Sequence, residues 1–358
     1  MIHADPLRIK LANPPKFHRM SVDLYSALRP LFFAIAPERA HALALSSLDL
    51  MHRLHVLPGV TNAAAARVEF MGLSFPNRIG LAAGLDKNGR HIDALGALGF
   101  GFIEIGTVTP QPQPGQPLPR VFRLPRQQAL INRMGFPNEG ADAVVGRLMR
   151  RKYRGVLGIN IGKNAWTPLE SAIDDYVTCY RKLAPHADYV TVNVSSPNTQ
   201  GLRQLQQVDN LRPILSALME ERHTLSVQQG RTVPLLAKVS PDLSEDELRA
   251  IAHLLIELNV SGIIATNTTT TRPPEVASAS SEAGGLSGAP MLGLAQRAVA
   301  ILKAAAGNRL TIIGAGGIGS SSDAIGTLRA GADLIQIYSG LIYRGPGLVR
   351  ELREAIRS

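Results

Sequence analysis

A single cysteine, Cys179, stands in 358 residues. That excludes an intramolecular disulfide framework and any cluster held by several thiolates, and it points to a reducing compartment. Aromatics make up only 5%, and no basic run is interleaved with them as a nucleic-acid groove would require. The formal charge of +10 therefore reads as a solvated basic surface or a pull on anionic partners, with no nucleic acid expected. The longest apolar run near the start, Leu31 to Ala36, is far too short to span a bilayer, and residues 1–19 lack the apolar core of a secretory signal. No H-E-x-x-H or other metal cage is present, and a Rossmann-type nicotinamide fingerprint is not expected.

Glycine (33) and proline (24) are plentiful in a chain that is 45% apolar, the mix of many strand-to-helix turns around a sizeable core. Residues 1–19 are polar and broken by Pro6, Pro14 and Pro15, a loose leader. Met20 is a candidate physiological start, which peptides from upstream in the native protein would refute. From Ser21 to Leu57 two helical patterns follow. Leu24, Leu28, Leu31, Phe32 and Ile35 form the first; Pro37, suited to a first helical turn, opens the second, with Leu43, Leu45, Leu48, Met51 and Leu54. Their apolar faces either dock on the main domain or lie in a lipid headgroup region, helped by Arg29, Arg39 and Arg53. A linker runs from Pro58 to Ala66. The expected divisions are a leader at 1–19, a helical unit and linker at 20–66, and a main domain at 67–358.

Beyond the linker a short apolar strand, a polar or glycine cluster and a helical pattern recur. The strands are expected at 77–84, 100–107, 155–162, 189–196, 234–240, 262–268, 311–318 and 334–340. Eight such units predict an α/β fold of the (β/α)8 TIM-barrel type with an N-terminal two-helix extension; a doubly wound open sheet is the alternative. In such a barrel the C-terminal strand ends meet on one face, so residues far apart in sequence converge there.

The stretch Tyr189 to Arg203 concentrates the chemistry. Its alternating β-branched half ends in Asn193, Ser195, Ser196, Asn198 and Thr199, neutral groups that donate and accept at once and suit a flat heterocycle with alternating C=O and N–H. The plain alternative is a strand ending in a polar turn. Glycines at 284–288, 314–317 and 340 allow backbone N–H groups to approach a phosphate, though glycine also serves any tight turn. Lys238 falls inside an apolar strand, where an ammonium needs an electron-rich neighbour; the alternative is a carboxylate partner not evident from the sequence.

Several blocks, in order, carry a resemblance: Gly80 to Gly89, Glu104 to Pro110, Ile131 to Phe136, Gly158 to Asn164, the stretch from Tyr189, Ala265 to Thr268, and Gly285 to Gly288. From about Tyr25 to the end the chain resembles the membrane-associated class 2 dihydroorotate dehydrogenases. That resemblance implies oxidation of dihydroorotate to orotate on FMN, with electrons passed to a membrane quinone, in pyrimidine biosynthesis. It places FMN contacts at Ala83, Gly84, Leu85, Asp86, Lys87, Thr107, Asn160, Asn193, Lys238, Thr266, Gly288, Gly317, Tyr338 and Ser339. Substrate contacts fall on Lys87, on Asn132, Arg133, Met134, Gly135 and Phe136, and on Asn193, Asn198, Asn267 and Thr268.

The base of the family matches Ser196, which takes the C5 proton while the C6 hydride goes to the flavin, with Thr199 a candidate assistant. Soluble relatives carry cysteine there, so the serine implies the quinone-using class. The N-terminal helices then form a quinone tunnel, with His41 and Arg123 at its inner end. The resemblance further implies a monomer on the phospholipid surface of the inner cell membrane, peripheral on the cytoplasmic side. Two rivals remain: a soluble flavin barrel reducing fumarate or a nicotinamide, told apart by assaying acceptors, and a colourless RNA-binding barrel with steep salt dependence.

Overall fold

The computed structural model describes residues 24–57 and 67–356; the leader, Met20 and the linker from Pro58 lie outside them. Eight parallel strands close a barrel: β1 Ile79–Leu81, β2 Phe102–Val108, β3 Val156–Ile161, β4 Tyr189–Asn193, β5 Leu235–Val239, β6 Gly262–Ala265, β7 Thr311–Ala315 and β8 Leu334–Ile337. Each pairs with its neighbours in sequence, and β8 closes on β1 through Ile335 to Ile337 against Ile79 to Leu81. All eight expected strands are found and the open sheet is excluded.

Strand alternation sorts the side chains. Outward residues such as Ile103, Ile105, Ile159, Val190, Val192, Ala237 and Ile263 join the main core under the helices. Inward residues fill the barrel in layers. The bottom layer holds Phe102, Val156, Tyr189, Leu236, Ile264, Ile313 and Leu334, plugged by the antiparallel hairpin Val68–Phe70 and Leu73–Phe75. Phe75 meets Phe102 edge to face at 5.4 Å. Above this apolar floor the inward positions turn polar, at Glu104, Thr191 and Gln336 and then at Asn160, Asn193 and Lys238. The floor seals the barrel from below, so chemistry is confined to the top.

Two additions shape that top. A three-stranded antiparallel sheet of Val121–Leu124, Ala129–Asn132 and Gly285–Gly288 brings the 132–136 loop and Gly288 to the barrel mouth. Helices α1 (Leu24–Ala34) and α2 (Pro37–Arg53) lie beside it, and Pro37 occupies the first helical turn as its fixed φ favours.

The helix pair docks on the main domain through its inner face. Ala40 and Leu45 of α2 are buried, and burying a leucine contributes about 1.5–3 kcal/mol. Polar links add register. His91 Nδ1 lies 2.7 Å from Asp49, Arg120 Nε donates to Glu38 at 3.0 Å, Tyr25 donates to the Ile342 carbonyl at 2.5 Å, and Arg29 donates to that of Tyr343 at 2.9 Å. The outer face keeps Leu28, Leu31, Ile35, Leu43, Leu50, Leu54 and Val56 in solvent, more than half of the large apolar side chains exposed among the described residues. No helix among the described residues is long and apolar enough to cross a membrane.

Candidate active site

One cavity occupies the C-terminal mouth of the barrel. It opens to solvent and holds about 1140 Å³ of space counting its open mouth. The strand ends bring Ala83, Gly84, Lys87, Thr107, Asn193, Ser196, Lys238, Thr266, Asn267 and Thr268 to its wall; the added sheet and the 132–136 loop bring Asn132, Met134, Gly135, Phe136 and Gly288. Asn198, Gly317, Tyr338 and Ser339 complete the expected set on that wall.

The four amides are pre-arranged. Asn267 Nδ2 donates to Asn193 Oδ1 at 3.2 Å and to Ser195 Oγ at 3.0 Å, while Asn198 Nδ2 donates to Asn132 Oδ1 at 3.1 Å. Asn193 Nδ2 donates to Thr107 Oγ1 at 2.9 Å and Asn160 Oδ1 at 3.1 Å. These bonds fix which end of each amide is spoken for and hold the side chains in place. Ser196 is buried on the same wall, and its Oγ accepts from the Asn198 N–H at 3.3 Å. Thr199, three residues on, is buried with its hydroxyl unpartnered among the described residues.

Two lysines supply positive charge. Lys87 donates to the Gly84 carbonyl at 2.7 Å; burial pulls its pKa down to about 8, with Glu38 opposing and Arg120 adding to the shift. Lys238 is buried, makes no hydrogen bond to the described residues, and opens into the cavity. Burial lowers its pKa and the charge of Glu104 raises it. The carboxylate that the sequence left unseen is therefore Glu104, acting through space.

Glycines shape another part of the cavity wall. Gly317 has φ +78°, and a Cβ there would sit 2.5 Å from the Leu292 backbone; Gly288 has φ +103°, where a Cβ would meet the Gln128 carbonyl at 2.2 Å. Only glycine fits either place. The N–H groups of Gly317 and Ile318 donate to no acceptor among the described residues, which suits an anion. The run Gly314 to Gly319 does spell G-x-G-x-x-G, contrary to expectation, but it closes a barrel strand rather than opening a Rossmann unit. A cavity lined by glycines with free N–H groups, a buried lysine and four amides fits a flavin mononucleotide beside a small polar ring.

Some expected contacts stand elsewhere. Leu85 is buried in the main core, and Asp86 accepts N–H groups of Asn88, Arg90 and His91, shaping the loop that carries Lys87. Asn160 lies one layer below the cavity wall. Arg133 turns away to Glu282 at 2.5 Å and over the Phe122 ring at 4.6 Å. Arg123 clamps the helix pair, donating to the Ile35 carbonyl at 2.8 Å and lying 4.7 Å over the Phe33 ring. His41 is near Lys87 and the Leu85 backbone; burial, then Lys87 and His91, lower its pKa to about 4, so it is neutral at physiological pH.

The comparisons with known proteins agree with this geometry. The family model described as "Dihydroorotate dehydrogenase" matches residues 65–358. The chain belongs to the dihydroorotate dehydrogenase family. It is 55% identical over 335 residues to the "Dihydroorotate dehydrogenase (quinone)" of Chromobacterium violaceum, covering 93% of this chain and 97% of that one. It is 54% identical over 341 residues to the protein of the same name from Stenotrophomonas maltophilia, covering 93% and 96%. The crystal structure of DHODH in complex with ferulenol from Eimeria tenella superposes with a TM-score of 0.85 at 37% identity, covering 94% of each chain. The family is flavin-dependent, and its quinone-named members are the relatives this chain matches.

Residues without an expected role also stand at the site. Ser287 accepts from Ser339 Oγ at 2.8 Å on the cavity wall, and Gln336 lines its floor. Glu104 lies beneath Asn160. A carboxylate on an apolar strand was the one signal in the sequence that marked Glu104, and it falls on an inward position.

Proposed function

We infer that the protein is a quinone-dependent dihydroorotate dehydrogenase that uses FMN at the barrel mouth. The observation that carries this reading is the convergence of Ser196, four amides and two lysines on one cavity. Lys87 pairs with the substrate carboxylate, a charge-assisted contact, while Asn132, Asn193, Asn198 and Asn267 match the ring's C=O and N–H groups. Ser196 removes the C5 proton. A serine is a weak base at its own pKa and needs its proton drawn off to water, and the Asn198 N–H on Ser196 Oγ favours the negative oxygen that results. Bound FMN would supply a hydride acceptor for C6 and a two-electron relay to quinone. Ala83, Gly84, Thr107, Thr266 and Tyr338 line its ring, Lys238 offsets negative charge arriving on that ring, and Gly288, Gly317 and Ser339 hold the phosphate end.

The helix pair delivers the acceptor. Its exposed leucines and isoleucine support peripheral attachment at the headgroup region of a bilayer, assigned in this reading to the cytoplasmic side of the inner membrane, and the faces toward His41 and Arg123 line the approach of the quinone. Neutral His41 adds no charge to the path of an apolar ring. All the groups assigned here stand in one chain, and we take the monomer as the working unit.

An anaerobic absorbance spectrum tests the reading. The purified protein is expected to be yellow, to bleach on adding dihydroorotate and to recover on adding a short-chain quinone. A colourless protein, or a flavin that dihydroorotate leaves unchanged, overturns it.

A further inference from the structure

Glu104 sits inside the barrel near the middle of β2 and is fully buried. Its Oε1 accepts from Asn160 Nδ2 at 2.9 Å. Its Oε2 accepts from Gln336 Nε2 at 2.9 Å, Tyr189 OH at 3.0 Å and Thr191 Oγ1 at 3.3 Å. Four donors from three strands converge on one carboxyl group. The Asn160 amide is thereby oriented, leaving its Oδ1 to accept from Thr107 at 2.5 Å and from Asn193. Lys238 stands in the same interior without a hydrogen-bonding counter-ion and faces the cavity above. An ammonium and a carboxylate buried in one low-dielectric space interact strongly even without touching.

We propose that Glu104 is a positioning residue for the cofactor's electronics: its carboxylate keeps Lys238 charged and partly cancels that charge, so the pull on the bound flavin is set by the pair. The proposal rests on the FMN reading above. Burial drives Lys238 toward the neutral form, and the charge of Glu104 opposes it. Without the carboxylate, the ring would feel a full cation at low pH and none once the lysine has lost its proton. With it, the field stays moderate and steady across that range.

Sulfite titration of the holoenzyme tests this, because sulfite donates its electron pair to flavin N5, bleaches the ring and leaves negative charge on it. The readout is the ratio of sulfite affinities, variant over wild type, at each pH, which cancels the ionisation of sulfite itself. Glu104→Gln is expected to bind sulfite about tenfold tighter at pH 6, with the advantage shrinking and then reversing as pH rises. Glu104→Asp keeps the charge and is expected to stay within about threefold of wild type. A ratio near one at every pH, or equal weakening by both variants, overturns the proposal. If Glu104→Gln does not retain flavin, Tyr189→Phe carries the test: removing one of the four donors to the carboxyl group changes how far it offsets the Lys238 charge, so a sulfite affinity different from wild type is expected, and a ratio of one at every pH overturns the idea. Wild-type protein that is colourless or unbleached by dihydroorotate would instead sink the FMN reading.

Discussion

Ser196 and Lys238, from the ends of neighbouring strands β4 and β5, open into the same cavity. A proton acceptor and a stabiliser of negative charge thus share one chamber, and the apolar floor beneath leaves them a single way out. That shared chamber is the condition for a coupled loss of proton and hydride from one ring.

Ser196→Ala should leave the flavin bound, since the proposed role of the hydroxyl is toward the substrate and not the flavin. Reduction by dihydroorotate should slow by about 10²–10⁴, the usual worth of a positioned base. Stopped-flow bleaching measures it, and an unaltered rate removes Ser196 from that role.

The proposed pairing of Lys87 with the substrate carboxylate predicts pH-dependent substrate binding. The Lys87 pKa is lowered to about 8, first by burial, so the ammonium is present below that pH and lost above it, whereas an unperturbed lysine would stay charged to about 10.4. KM for dihydroorotate should therefore rise above pH 8. Lys87→Met should raise KM throughout and flatten this limb; an unchanged alkaline limb in the variant would assign the titration to another group.

Membrane attachment should depend on the outer face of the helix pair. Replacing Leu31, Leu43 and Leu50, all exposed, with serine removes about 1.5–3 kcal/mol of potential burial at each. Co-sedimentation with anionic vesicles should fall sharply while bleaching by dihydroorotate is unaffected. Undiminished sedimentation would place the membrane contact elsewhere.

Asp242 ties the loop bearing Ser196 to the end of β6. It accepts from Arg203 Nη1 at 2.7 Å and from the Thr270 N–H at 2.9 Å, and also from the Thr269 hydroxyl. Arg203 in turn donates to the Ser195 and Thr268 carbonyls. Burial pushes the Asp242 pKa up, but the hydrogen bonds from Thr269 and Thr270 and the Arg203 charge outweigh it and leave the pKa lowered. A carboxylate with a lowered folded pKa contributes stability above its unfolded value and loses it as pH falls through the folded one. Asp242→Asn should cost about 1–3 kcal/mol, seen as a lower midpoint in urea at pH 7 and a smaller difference from wild type in acid. Equal differences at both pH values would contradict the ionic latch.

What was legible in the sequence was whatever repeats or sits at a strand end. Eight apolar runs with polar tips announced the barrel, since the side-chain period of a strand and the placement of loops on one face follow from local chemistry. Pro37 marked the start of α2 for a similarly local reason, a fixed φ. Asn193 and Ser196 stood out because they interrupt an alternating strand.

Only the tertiary structure decided which inward residues face one another. Glu104 and Lys238 lie on strands far apart in the chain, and their pairing exists because the sheet closes and its pleat turns both inward. The same holds for Asn160, set one layer below the wall, and for Arg133, drawn outward by Glu282 and Phe122. The strands Val121–Leu124 and Gly285–Gly288 are too short to show a period, and they become a sheet only by pairing with Ala129–Asn132. Periodicity is a property of neighbours along the chain, whereas charge compensation and cavity shape are properties of neighbours in space.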